Sequence, residues 1–161
     1  MNLTIICASY TGTTYGIAEQ IRNASGGEII EIQSKDLLSR FVAFMARHSP
    51  GMKVRESGGM PDTIDLSSSD LVVFGTPVWG GKPVPAIRDA LARCQRCQGK
   101  PVIIFATCSE KPGSTLEVLA KDLAAKGMVV AGQFALTKKE IDDGTLVAAL
   151  ISHVQEAGNK A

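Results

Sequence analysis

Short, uninterrupted apolar runs alternate along this chain with longer segments of helical spacing, and that alternation restricts the fold more than any other feature. Leu3–Ala8 (LTIICA), Leu71–Thr76 (LVVFGT) and Pro101–Thr107 (PVIIFAT) are apolar at nearly every position. A strand with one wet face would alternate apolar and polar residues, so these runs predict strands covered on both faces. Glu28–Gln33 and Met128–Leu136 supply two further strands. Helical spacing predicts helices over Thr13–Ala24, Leu37–Arg47, Val84–Cys94, Ser114–Lys126 and Ile141–Ala157. Pro83 and Pro85 stand at the start of the third helix, where proline is tolerated. Gly127 marks the stop of the fourth. Residues 48–62 read as a loop. The β-α order implies an α/β fold, a parallel sheet with helices on both faces. Crossovers in such sheets are right-handed. Ligands bind beyond the carboxyl ends of the strands, where the winding reverses. The loops after the first, third and fourth long strands are therefore the first candidates for chemistry.

The chain has 161 residues, the size of one domain, 1–161. Its 17 basic and 16 acidic residues leave a formal charge of +1. That balance gives no reason to expect nucleic acid or an anionic membrane as partner. No stretch approaches the roughly 20 apolar residues of a membrane span. The opening MNLTIICASY carries neither a basic leader nor a signal-length apolar run. The expectation is a cytoplasmic protein with reduced thiols. Cys94 and Cys97 form a CxxC, but near the end of the predicted third helix rather than at a helix start, where thiolates are stabilised. With no histidine nearby in sequence they do not complete a zinc site, so no metal is expected. The apolar face of the second helix, Leu37–Met45, reads as core in preference to an interface. His48 and His153 are isolated, and no catalytic constellation stands out.

The first strand runs directly into Ser9-Tyr10-Thr11-Gly12-Thr13-Thr14 and then into a helix. The orphan N–H groups of a helix start favour an anion. Ser9, Thr11, Thr13 and Thr14 add hydroxyls, and Gly12 allows a left-handed turn or close approach. No Lys or Arg follows before Arg22. A nucleoside-triphosphate loop needs its lysine, and the GxGxxG spacing of dinucleotide folds is also missing. What remains is a monophosphate held by neutral donors, or a plain hydroxyl cap on the helix.

At this loop the chain resembles the flavodoxin family, whose phosphate loop reads S/T-x-T-G-x-T; residues 9–14 read SYTGTT. The resemblance continues at Thr76-Pro77-Val78-Trp79-Gly80-Gly81-Lys82-Pro83, which is similar to the TPVWxGxPxP loop of the family's smaller relatives. A weaker third match runs from Thr107-Cys108-Ser109 to Gly113. The resemblance implies a flavodoxin-like three-layer sandwich with a five-stranded parallel sheet of order 2-1-3-4-5. It implies FMN as cofactor, with the first loop on the phosphate, the second along the isoalloxazine, and the third at the pyrimidine end. Trp79, the one tryptophan, would offer a plane for stacking. Gly80 or Gly81 would carry the peptide that reorients on flavin reduction. Thr107, Cys108 and Ser109 would offer backbone N–H groups. The tyrosine that often covers the outer flavin face in the family is missing from the third loop; either Tyr10 substitutes or the face stays open.

Three functions follow. The first is electron transfer through non-covalent FMN, exchanging with a redox partner protein or small-molecule acceptor. Against it, flavodoxins are typically acidic, whereas Lys82 and Lys111 in the proposed flavin loops face only Glu110. The second is an FMN-dependent NAD(P)H:quinone-type oxidoreductase. The third is a module that keeps the fold without the flavin.

Overall fold

In the computed structural model the described residues are 1–48, 51 and 58–161. Five long strands form one parallel sheet: β1 (Leu3–Ala8), β2 (Glu28–Ile32), β3 (Leu71–Trp79), β4 (Pro101–Cys108) and β5 (Val129–Thr137). Their spatial order is 2-1-3-4-5, as the resemblance implied. The helices are α1 (Thr13–Ser25), α2 (Lys35–His48), α3 (Pro85–Arg93), α4 (Thr115–Ala125), α5 (Lys138–Asp143) and α6 (Thr145–Lys160).

The apolar runs are buried on both faces because successive side chains point to opposite sides of a strand. Ile6, Phe74 and Ile104 lie in one register row and meet the α3 and α4 side chains Ile87, Leu91, Leu119 and Leu123. Ile5, Val73 and Ile103 lie in the next row and meet Ile17 and Ile21 of α1 and Leu150 and Val154 of α6. All six strand residues are fully buried. Burying each removes a side chain of this size from water, worth about 1.5–3 kcal/mol apiece. Gly75 makes room in the second face, because the Phe105 ring of the neighbouring strand occupies the space a Cβ there would need.

Three elements differ from the sequence expectation. Strand β3 runs three residues beyond Thr76 and folds back on itself, Val78 pairing antiparallel with Pro83 and Trp79 with Lys82. The expected last helix is two, α5 and α6, broken at Gly144, whose φ of +82° is left-handed. A capping box starts α5: Glu140 N–H donates to the Thr137 hydroxyl and Thr137 N–H donates to the Glu140 carboxylate. The apolar face of α2 is divided. Leu38 is buried and Phe41 half-buried, but Val42 and Phe44 are 41% and 46% exposed. Of the expected loop 48–62, residues 49–50 and 52–57 lie outside the described residues. No described helix is long and apolar enough to cross a membrane.

Strand order places the site. The chain moves from β1 outward to β2, then back across β1 to β3. The loops after β1 and β3 therefore leave on opposite sides of the sheet and open a crevice at its carboxyl edge.

Candidate functional site

The loop after β1 ends at Gly12, which takes φ +94° as the N-cap of α1. Among the described residues no side-chain hydrogen bond caps this helix, and no acidic residue occupies its first turn. The reading of the loop as a hydroxyl cap is therefore excluded. The four hydroxyls divide by role. Ser9 is buried and accepts from Gly12 N–H at 3.1 Å, which holds the turn. Thr14 is buried, with its hydroxyl 2.7 Å from that of Thr107 at the end of β4, which ties the first loop to the third. Thr11 and Thr13 are exposed, their hydroxyls 3.4 Å apart in front of the helix start. Two hydroxyls thus build the loop and two are left facing solvent beside uncapped N–H groups.

The second loop is a tight hairpin rather than an open excursion. Gly80 and Gly81 both take positive φ, +60° and +73°. A two-residue turn with left-handed backbone at both positions matches strand twist, and glycine adopts it without strain. The third loop is stitched to this turn. Ser114 N–H donates to the Gly81 carbonyl at 2.8 Å, and the Ser114 hydroxyl approaches it at 3.2 Å. Gly113 (φ +57°) lies so close that a Cβ there would sit 2.6 Å from Gly81 Cα. Thr76 steadies the base of the hairpin: its hydroxyl donates to the Pro77 carbonyl and accepts from Val84 N–H.

The residues singled out in the sequence therefore converge, with distinct roles. Thr11, Thr13, Pro77, Val78, Trp79 and Thr107 all border one small cavity of about 80 Å³, as do Tyr10 and Thr14. Gly81 and Gly113 join the second and third loops. Cys108 is half-buried and Ser109 exposed at the end of β4; burial, then Glu140, holds the Cys108 thiol up. Trp79 does not stand free. Its ring packs edge-on against Phe41 at 5.8 Å and lies 6.2 Å from Tyr10. Tyr10 is 3% exposed and stacks on Phe41 at 4.7 Å. It is therefore a wall of the cavity and no free cover for an outer face. Its hydroxyl is buried with no hydrogen-bond partner among the described residues, and burial pushes the phenol up. Phe41 was missed as a site residue because it comes from α2, far along the chain, and its only sequence signal was an apolar helical face.

The CxxC belongs elsewhere. Cys94 and Cys97 are buried behind α3, where Cys94–Gln95 forms a short parallel bridge with Ile64–Asp65. Burial pushes Cys94 up to about 12, with Cys97 adding to the effect. Reactive thiols are shifted the other way. His153 Nε2–H donates to the Ala131 carbonyl at 2.8 Å, and the His48 ring rests on Phe44.

Neither a protein-family model nor a curated protein sequence matches this chain. Solved structures do. A WrbA-like flavodoxin from Agrobacterium tumefaciens is similar over 99% of this chain and 98% of its own, with 15% identity and a TM-score of 0.65. The two-electron reduced flavodoxin of Megasphaera elsdenii is similar over 99% of both chains, at 18% identity and a TM-score of 0.59. This chain has the flavodoxin fold. A flavoprotein from Lactobacillus acidophilus, solved in complex with FMN, covers 88% of this chain with 97% of its own, at 21% identity and a TM-score of 0.59. Within the flavodoxin fold, the three loops described above lie at the carboxyl edge of the sheet.

Proposed function

We propose that this chain binds FMN without covalent attachment and works as a cytoplasmic, flavodoxin-like redox protein. The uncapped start of α1 carries this reading. The backbone N–H groups of Thr13 and Thr14 at its start, with the exposed Thr11 and Thr13 hydroxyls in front, form a neutral donor set suited to a phosphate monoester. Ser9 and Thr14 hold that set in place. The similar structures, one of them holding FMN, support the assignment.

The ring end fits on a condition. A cavity of about 80 Å³ is small beside the 300–1,000 Å³ of ordinary ligand pockets. A planar ring system enters only when Trp79 leaves Phe41 and Tyr10, after which the indole is free to stack on it. The buried Tyr10 hydroxyl then has a polar edge to meet. The Gly80-Gly81 turn, held by Ser114, presents backbone to one side, and Thr107, Cys108 and Ser109 present backbone to the other. When bound, FMN supplies reversible acceptance and donation of electrons. The residues above bind it, orient it and shield it from water.

A second reading is an FMN-dependent NAD(P)H:quinone-type oxidoreductase. The observation in its favour is charge: Lys82 and Lys111 are exposed in the site loops, where an acidic rim would steer a basic carrier partner. Anaerobic titration of the FMN-loaded protein with NADPH separates the two. Rapid bleaching at stoichiometric NADPH marks the reductase. No bleaching, with stepwise reduction by a chemical reductant, marks the carrier. Failure to load FMN at all overturns both.

A further inference from the structure

On the far side of Trp79 from the ring cavity lies a larger feature, a groove of about 710 Å³ between the hairpin, α3 and α4. None of the residues assigned to the cofactor except Trp79 lines it. Its walls are rigid and flat near the indole, where Pro83 and Pro85 flank it, and short further down, where Ala92 and Ala125 leave the space open. Prolines and an indole form a surface that holds a planar ring with little loss of side-chain entropy.

Charge selects among planar rings. Lys82 is the direct cross-strand partner of Trp79, so the hairpin presents an ammonium beside the indole. At the other end Lys126 Nζ is held by the Ala92 carbonyl at 3.2 Å. The Asp122 carboxylate is taken up by Arg88, at 2.6 and 3.2 Å from Nε and Nη2. Among the described lining residues, two ammonium groups then stand against the single carboxylate of Asp89. We propose that this groove is a second ligand site, which takes a planar aromatic anion with its ring on Trp79 and its charge toward Lys82.

The test uses anthraquinone-2-sulfonate as probe, titrated calorimetrically into protein with saturating FMN and again without it. The expected result is one saturable site per chain in FMN-free protein, weakened by added salt, with a shifted affinity under saturating FMN because Trp79 is the wall the two sites share. Ala92→Phe, at an exposed position on α3, fills the groove and weakens the probe at least tenfold, with circular dichroism confirming that the variant folds. Lys82→Gln weakens it severalfold, and Lys121→Gln, a surface cation on α4 outside the groove, does not. The proposal is overturned by absence of binding, by binding that Ala92→Phe leaves unchanged, or by equal affinity for the cation N-methylacridinium. Because Ala92 lines the groove and not the ring cavity, Ala92→Phe should leave FMN affinity unchanged, and failure of the probe in FMN-free protein is distinguishable from failure to load FMN.

Discussion

Replacing Gly113 by alanine strikes the joint between the second and third loops. The native φ of +57° is left-handed, and an L residue held there costs about 1–2 kcal/mol. The new Cβ would lie 2.6 Å from Gly81 Cα and 2.7 Å from the Gly81 carbonyl oxygen, so the loops must part. Parting them breaks the 2.8 Å bond from Ser114 N–H to that carbonyl, worth about 0.5–1.5 kcal/mol net. The total is on the order of 2 kcal/mol, and if it falls wholly on the flavin site it corresponds to about 30-fold in affinity. Gly99→Ala is the control. Gly99 has φ +73° and nothing within 4 Å of a built Cβ, and it lies away from the site. It therefore carries the dihedral cost without the collision. Urea unfolding measures stability and quenching of flavin fluorescence measures FMN affinity. Gly99→Ala should lose stability with affinity unchanged, while Gly113→Ala should lose affinity. Equal FMN affinity in wild type and Gly113→Ala would refute the claim that the two loops act as one clamp.

The remaining substitutions probe the roles assigned above. Thr13→Ala should weaken FMN by about 10- to 100-fold, the range for one hydrogen bond to a charged group, whereas Thr14→Ala should cost the fold about 1–3 kcal/mol by leaving the Thr107 hydroxyl unpaired; fluorescence titration and thermal melting tell them apart. Trp79→Ala opens the ring cavity, so stopped-flow mixing should show faster FMN association together with a still larger rise in dissociation. Cys94 titrates near 9.0 in the open chain and about 12 when folded. Below pH 9 both states keep the proton, so the protonated thiol's contribution to stability is fully present. Above it only the unfolded chain releases the proton, and stability falls as pH climbs toward 12. Cys94→Ala should flatten that fall, measured as the slope of unfolding free energy between pH 9 and 10.5; an unchanged slope would count against a buried, protonated thiol.

The sheet was legible in the sequence because burial on both faces leaves LTIICA, LVVFGT and PVIIFA apolar at every position but Thr4 and Thr76. The site loops were legible because a hydroxyl-rich turn and a TPVWGGKP segment follow two of those strands. The rest depends on contacts between distant segments. Nothing local separates the inward Ser9 and Thr14 from the outward Thr11 and Thr13, since the division is made by Gly12 and by Thr107 across the sheet. Phe41 enters the site only because α2 lays it on Tyr10. Two local signals mark the remaining differences. Gly-Gly between Trp79 and Lys82 is a hairpin turn. Thr137-x-x-Glu140 is a capping box that starts α5 three residues ahead of the expected helix.

The neutral donor set at α1 is tested most directly by isothermal titration of the same apoprotein with FMN and with riboflavin, which share the ring system and differ in the phosphate. Gripping by the N–H groups at the helix start with the Thr11 and Thr13 hydroxyls predicts FMN tighter by at least about 100-fold, equivalent to one or two charge-assisted hydrogen bonds. Equal affinity for the two flavins would contradict the account.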